Sequence, residues 1–247
     1  MLDYDDNPNM IYDADDFRWK LYFKRSYVDR QNKQAMDYGH FPVLPTAYCV
    51  VNDMVEVPEG YEYERNIAIS CLFEDAVIDI PCFKSARGRL LKFAKKLAND
   101  HCLPMQIGTV SECGPVGRSG TNKRYKECLF DSKIILHANP DTWEGDCRTW
   151  EGLCSGALVF VDRMYAPIKN PLIDGEHLIY YDFTDDGMKA LEQKIIYYLK
   201  HDQEREQIGT QGREFVLAHH RSINRVNEII DELECSKAYG TLSSVTT

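Results

Sequence analysis

The sequence predicts an α/β domain on a doubly wound parallel sheet, with a short N-terminal segment before it and helices after it. Three observations predict this. From Asn66 onward, short apolar runs alternate with amphipathic stretches, the rhythm of repeated strand–helix–strand units. Residues 132–163 compress that rhythm into one segment of strand, loop, helix and strand. From Met188 the apolar residues keep helical spacing. No motif recurs at a fixed period, which excludes a solenoid.

The first 64 residues differ from the rest. Residues 17–27 alternate Trp19, Leu21 and Phe23, which predicts a strand ending at Lys24-Arg25. Residues 41–49 carry two prolines and read as an extended crossing segment rather than an element interior. Pro58-Glu59-Gly60 is a turn.

Residues 66–73 then read as a strand. Residues 85–99 form an amphipathic helix, with Leu90, Leu91, Ala94, Leu97 and Ala98 on one face and Arg89, Lys92, Lys95 and Lys96 on the other. Residues 105–110 are a strand, the glycine-rich 114–120 a loop, and 121–131 a short helix with Tyr125 and Leu129. The apolar run 133–137 is broken by Asn139-Pro140-Asp141. Gly145-Asp146 supplies a helix start with Asp146 as N-cap. Gly156 marks its end, before a second apolar run at 157–161. Residues 178–183 are a further strand. Helical stripes follow through Leu191, Ile195 and Leu199, over 203–218, and through Ile223, Val226, Ile229, Ile230 and Leu233. The final GTLSSVTT is small and polar, as in a frayed tail. The expected organisation is an N-terminal segment over 1–64, a domain with a four- or five-stranded sheet over 65–234, and a flexible tail over 235–247.

With 247 residues, 44% of them hydrophobic, the chain can bury one large core or two small ones. A net charge of −10 argues against nucleic acid and anionic membrane surfaces as partners. The nine cysteines form no C-x-x-C pair. This excludes zinc-ribbon and dithiol spacing and points to reduced thiols in the cytoplasm. No apolar run reaches the length of a membrane span. The acidic start MLDYDDNPN has neither signal nor transit-peptide character.

Several residue groups have the chemistry of an anion site. The helix opening at Gly145-Asp146 would present free N–H groups at the carboxyl edge of the sheet, where phosphate is favoured. Arg148 and Glu151 sit in its first turns; an arginine can hold a diphosphate and a carboxylate ribose hydroxyls. Both are equally consistent with surface charges on an ordinary helix. Lys84 and Arg87, after the first regular strand, make a second phosphate grip, or the start of a solvated basic face running to Lys96. Lys24 and Arg25, at the end of the aromatic strand, suit an anion or an acceptor-side ligand, or form a surface pair. The clusters Asp3-Tyr4-Asp5-Asp6 and Asp13-Ala14-Asp15-Asp16 have D-x-D spacing. Through Asp13 and Asp15 they could hold Mg²⁺ or Mn²⁺ on a diphosphate. They also read as a solvated acidic terminus, which charge runs usually are. GPVGRSG (114–120) lacks the G-K-[ST] of a P-loop, and no G-x-G-x-x-G follows any strand. His219-His220 point to different helix faces, a poor metal pair that reads as helix-end or packing residues. Cys147 and Cys154 read as small core residues.

Taken together, SKIIL from Ser132, GDCRTWE from Gly145 and CSGALVF from Cys154 resemble the C-terminal domain of CgeB-like glycosyltransferases of group 1. Gly175-Glu176-His177-Leu178, Tyr180-Tyr181-Asp182, the Tyr197-Tyr198-Leu199 helix, residues 204–212 and His219-His220 with Arg225 continue the likeness. It covers 66–234 and rests on the order and spacing of these motifs. The resemblance implies a Rossmann-like domain of the GT-B type that moves a sugar from a nucleotide-sugar donor to a hydroxyl of a glycan or protein acceptor. It implies that Glu151 holds the ribose, that Arg148 and the N–H groups near Gly145-Asp146 face the diphosphate, and that Lys84 and Arg87 neutralise the leaving group. It implies no cofactor and no essential metal, with Mg²⁺ or Mn²⁺ entering only under the D-x-D alternative. The catalytic base is unassigned; Asp3 or Asp5 has suitable chemistry. Only 64 residues precede the first strand of the domain, too few for a second complete domain of this kind. The expected chain is therefore a fragment, a minimal enzyme, or one completed by a partner chain or a second copy. A non-catalytic subunit that binds a partner chain is the remaining reading.

Overall fold

The computed structural model describes residues 1–3, 21–25, 27, 42–56, 64–73, 86–108, 123–139, 145–164 and 166–243. The main sheet contains β4 (Ile67–Cys71), β5 (Met105–Ile107), β6 (Ser132–Leu136), β7 (Leu158–Asp162) and β8 (Ile179–Tyr181) in the order β5-β4-β6-β7-β8. All four pairings are parallel, so the connections cross over the sheet; the first three each carry a helix, and among the described residues the β7–β8 connection has none. These helices are α1 (Ala86–His101), α2 (Lys123–Phe130), α3 (Cys147–Cys154) and, after the last strand, α4 (Asp185–Lys200), α5 (Asp202–His219) and α6 (Ser222–Ser243).

Both faces of the sheet are covered, as in a doubly wound fold. Successive residues of the central strands alternate between the two cores. Ile134 and Leu136 of β6 and Leu158 and Phe160 of β7 pack with Leu90 and Leu97 of α1 and Leu191 and Ile195 of α4. Ile135, Val159 and Val161 pack on the opposite side with Leu129, Trp150, Leu153 and Val216. Each such fully buried side chain contributes roughly 1.5–3 kcal/mol. Helix α5 comes unusually close to the chain beneath it. A Cβ at Gly209 would collide with the Gly156 carbonyl oxygen, and one at Gly212 with the His177 carbonyl oxygen. Gly156 itself has φ +74°, the left-handed turn that ends α3 as its position predicts.

A second, smaller sheet holds β1 (Leu2–Asp3), β2 (Tyr22–Lys24) and β3 (Val43–Pro45), all parallel. Here the sequence expectation needs correction. Residues 43–45 are a strand paired with β2 and not merely a crossing segment. The prolines are tolerated because β3 is an edge strand and Pro42 serves as an acceptor, its carbonyl taking the Tyr22 N–H at 3.0 Å. Residues 50–55 then join the larger body. Val50 N–H donates to His220 O at 2.7 Å and Ser222 N–H to Val50 O at 3.2 Å. Met54 is fully buried in the core under α3.

Helix α6 continues to Ser243, through most of the stretch expected to be a tail. Part of its apolar stripe faces solvent: Ile223, Val226 and Ile230 are about half exposed. Among the described residues, no helix is long and apolar enough to cross a membrane.

Candidate functional site at the sheet switch point

The strand order reverses between β4 and β6, and in open α/β sheets the crevice at such a point, beyond the carboxyl ends of the strands, is the ligand site. Four segments meet there: Phe73 after β4, His137 to Asn139 after β6, the first turn of α1 with Arg87, and the start of α3. Asp146 is at the centre of them. Its backbone is extended and its Oδ1 accepts the Arg148 N–H at 3.4 Å, the N-cap its sequence position predicts. Cys147 Sγ lies 2.9 Å from the same oxygen, so Cys147 belongs to the helix start and is only half-buried, unlike the buried Cys154.

Asp146 Oδ2 takes an ion pair from Arg148 Nη1 at 3.0 Å and another from Arg87 Nη2, 59 residues away in sequence. His137 Nε2 faces the same oxygen at 3.3 Å. Arg87 is further held by donating Nε–H to Ala138 O at 3.2 Å and by lying 5.6 Å over the Phe73 ring, which meets His137 edge-on. Burial opposes ionisation of Asp146, but His137, Arg148 and Arg87 outweigh it and hold the carboxyl well below its usual range. Burial also depresses His137, only partly offset by Asp146, so His137 is neutral at neutral pH. The cluster therefore carries two guanidinium charges against one carboxylate.

The expected residues are distributed as follows. Arg87, Asp146 and Arg148 meet at one point. Gly145 precedes them, and a Cβ there would fall 2.6 Å from Met164 Sδ, the outer part of a flexible side chain. Glu151 is outside that ion-pair cluster: it is buried and accepts the Tyr125 hydroxyl hydrogen at 2.7 Å. Arg25 is buried, stacks 4.1 Å over Tyr48, and lines a narrow cleft with Gly145, Trp150 and Met164. Its neighbour Lys24 is buried in β2 and does not line that cleft. Lys84, Asp5, Asp13 and Asp15 lie outside the described residues, and Asp3 is described only as part of β1. Among the described residues no three His, Cys, Asp or Glu side chains gather as a metal site.

Other polar groups of this edge carry no motif. Asn139 and Asp162, at the carboxyl ends of β6 and β7, are both buried. Asn139 N–H donates to Asp162 Oδ1 at 2.7 Å and its side-chain amide to Asp162 O at 3.0 Å. Burial pushes the Asp162 carboxyl up to about 6. Tyr181, ending β8, donates to His137 O at 2.8 Å. Their one sequence signal is that each ends or follows an apolar strand, where the chain turns toward the ligand edge. His220 is a packing residue: it stacks on Trp150 at 4.6 Å and contacts Asn170 O at 2.8 Å.

A family model described as glycosyl transferase-like matches residues 107–231, half of the chain. The chain belongs to this family. No curated protein matches it in sequence. Among solved structures, TarM of S. aureus has a TM-score of 0.56 at 12% identity, covering 85% of this chain and 42% of TarM. A glycosyltransferase from Rickettsia africae gives 0.56 at 13%, covering 89% of this chain and 63% of that one. HepE from Anabaena, in complex with UDP, gives 0.55 at 10%, covering 87% and 64%. At these identities the likeness establishes the fold, a Rossmann-like domain of the GT-B C-terminal type. The chain spans from 42% to 64% of the length of these three structures.

Proposed function

We propose that this chain is a glycosyltransferase of the CgeB-like kind, or its donor-binding half, and that it holds a nucleotide sugar without an essential metal. The observation that carries this is the convergence of Arg87 and Arg148 on the start of α3 at the switch point of the sheet. In the transfer, the bond from the anomeric carbon to the diphosphate oxygen breaks and the nucleoside diphosphate leaves with the electron pair. An acceptor hydroxyl oxygen bonds to that carbon and gives up its proton to a base. Two guanidiniums and the α3 dipole stabilise charge growing on the leaving group, which is what such a step requires. Asp146 keeps both guanidiniums aimed at one point before the donor arrives. Because it cancels one of their charges, a diphosphate needs a further cation, and Lys84 just before α1 is the residue we assign. Glu151, anchored by Tyr125, takes the ribose hydroxyls. Arg25 meets the donor from the side of the small sheet.

Thermal-shift titration with UDP-, GDP- and dTDP-sugars tests the reading. The expected result is stabilisation by one nucleotide class, reduced in Arg148→Ala and Glu151→Ala. No shift with any nucleotide would sink it. Turnover that requires Mn²⁺ and disappears in Asp15→Asn would replace the metal-free mechanism with the D-x-D one.

A further inference from the structure

Helix α6 carries an apolar stripe on its outer face. Ile223, Val226 and Ile230 are 55%, 50% and 45% exposed. Val51 is 41% exposed and follows Val50, which bridges Arg221 at the start of the same helix. These four are the majority of the seven large apolar side chains exposed among the described residues. Single exposed apolar residues are ordinary, but several gathered on one surface mark a contact site. The inner face of α6 is already engaged: Arg225 is buried and donates to Glu228 at 2.7 Å, and Ile229 is half-buried. The outer stripe lies about a third of a turn away from Arg225 and is a separate seam.

The spacing of that seam says what shape fits it. Residues 223, 226, 230 and 233 follow the 3-4-3 spacing of the a and d positions of a helix pair. Leu233, half-buried at the inner edge, closes the run. Two features select a second α6 running the opposite way. First, the seam is self-complementary in that direction. With Val226 level with Ile230 of the second copy, Ile223 falls level with Leu233, and four layers close about one twofold axis. Second, the helix is polarised in charge. Arg221 and Arg225 lie at its start, and Glu228, Asp231, Glu232 and Glu234 follow. A parallel copy would set these four acids beside four more. An antiparallel copy sets Glu234 level with Arg221 and opposes the two helix dipoles. From Ile223 to Leu233 the seam is about 15 Å long at helical rise. A contact of that length falls short of the ~1,200–2,000 Å² of stable interfaces, so the pairing is reversible, with a dissociation constant on the order of 10–100 µM.

We propose that α6 pairs antiparallel with α6 of a second copy of this chain through Ile223, Val226, Ile230 and Leu233. The pairing is independent of the donor reading and needs no nucleotide to be observed. Sedimentation velocity of the whole chain from about 1 to 300 µM, a range that brackets such a constant, tests it. The wild type is expected to pass from monomer to dimer. Val226→Glu and Ile230→Lys place a charge in the seam at half-exposed positions, so each should keep the wild-type circular dichroism melt. Each alone is expected to weaken association tenfold or more. Mixed one to one, they are expected to associate more tightly than either alone, because the antiparallel register sets residue 226 of one copy against residue 230 of the other. A monomer at every concentration leaves the stripe to a different chain and overturns the proposal. Association unchanged by both substitutions, or a mixture no tighter than its components, overturns it as well.

Discussion

Tyr125 donates its hydroxyl hydrogen to Glu151 Oε2 at 2.7 Å, joining helices α2 and α3 through two buried side chains. The carboxylate proposed to hold ribose is therefore aimed by a phenol from the neighbouring helix. Tyr125→Phe should cost about 1–2 kcal/mol in urea unfolding, because it strips a buried charge-assisted hydrogen bond. It should also weaken nucleotide binding several-fold by calorimetry. Glu151→Gln, which keeps an acceptor for Tyr125, should retain most of the stability and lose affinity. A Glu151→Gln variant that binds nucleotide as wild type does would make the pair purely structural.

Asp146 caps α3 and compensates two guanidiniums at once. Asp146→Ala should destabilise by about 1–3 kcal/mol, the sum of a lost cap and two like charges left together in a half-buried crevice. Asp146→Asn keeps the cap acceptor and should lose less. Equal losses in chemical denaturation would mean that the charge, not the cap, carries the effect.

The Asp162 carboxyl gives a pH signature. Burial pushes it up to about 6, whereas an unfolded aspartate titrates near 3.9. Between these values the native state holds more proton than the unfolded state, so stability falls as pH rises through that window, by up to about 3 kcal/mol. Asp162→Asn keeps an acceptor for the Asn139 N–H and removes the buried anion. It should melt above wild type near neutral pH and lose that advantage at about pH 4. An advantage independent of pH would refute the assignment.

Gly209 and Gly212 allow α5 to touch backbone. Alanine at either position meets a carbonyl oxygen of Gly156 or His177, and the forced shift should cost about 1–3 kcal/mol in thermal or urea melts. Alanine at the solvent-side Gly175, where a Cβ meets nothing, should cost less, and what it does cost comes from the φ of +78°.

Periodicity made most of the large sheet and every helix from α1 to α6 legible, because a two-sided core imposes apolar runs on strands and stripes on helices. The Asp146 cap was legible for the same local reason. β3 was not: Pro42 before it and Pro45 within it read as breakers, and its outer position among the described strands removes that objection. The partner of Asp146 was not legible either. Arg87 reaches it across 59 residues, a pairing made by the crossover of the sheet and not by spacing.

The Val50–His220–Ser222 hydrogen bonds fasten the strand-exit of the small sheet to the junction of α5 and α6. That junction is two residues long, His220 and Arg221. A change at Val50 or at the start of α6 is therefore felt at the other, although 172 residues separate Val50 from Ser222 in the chain.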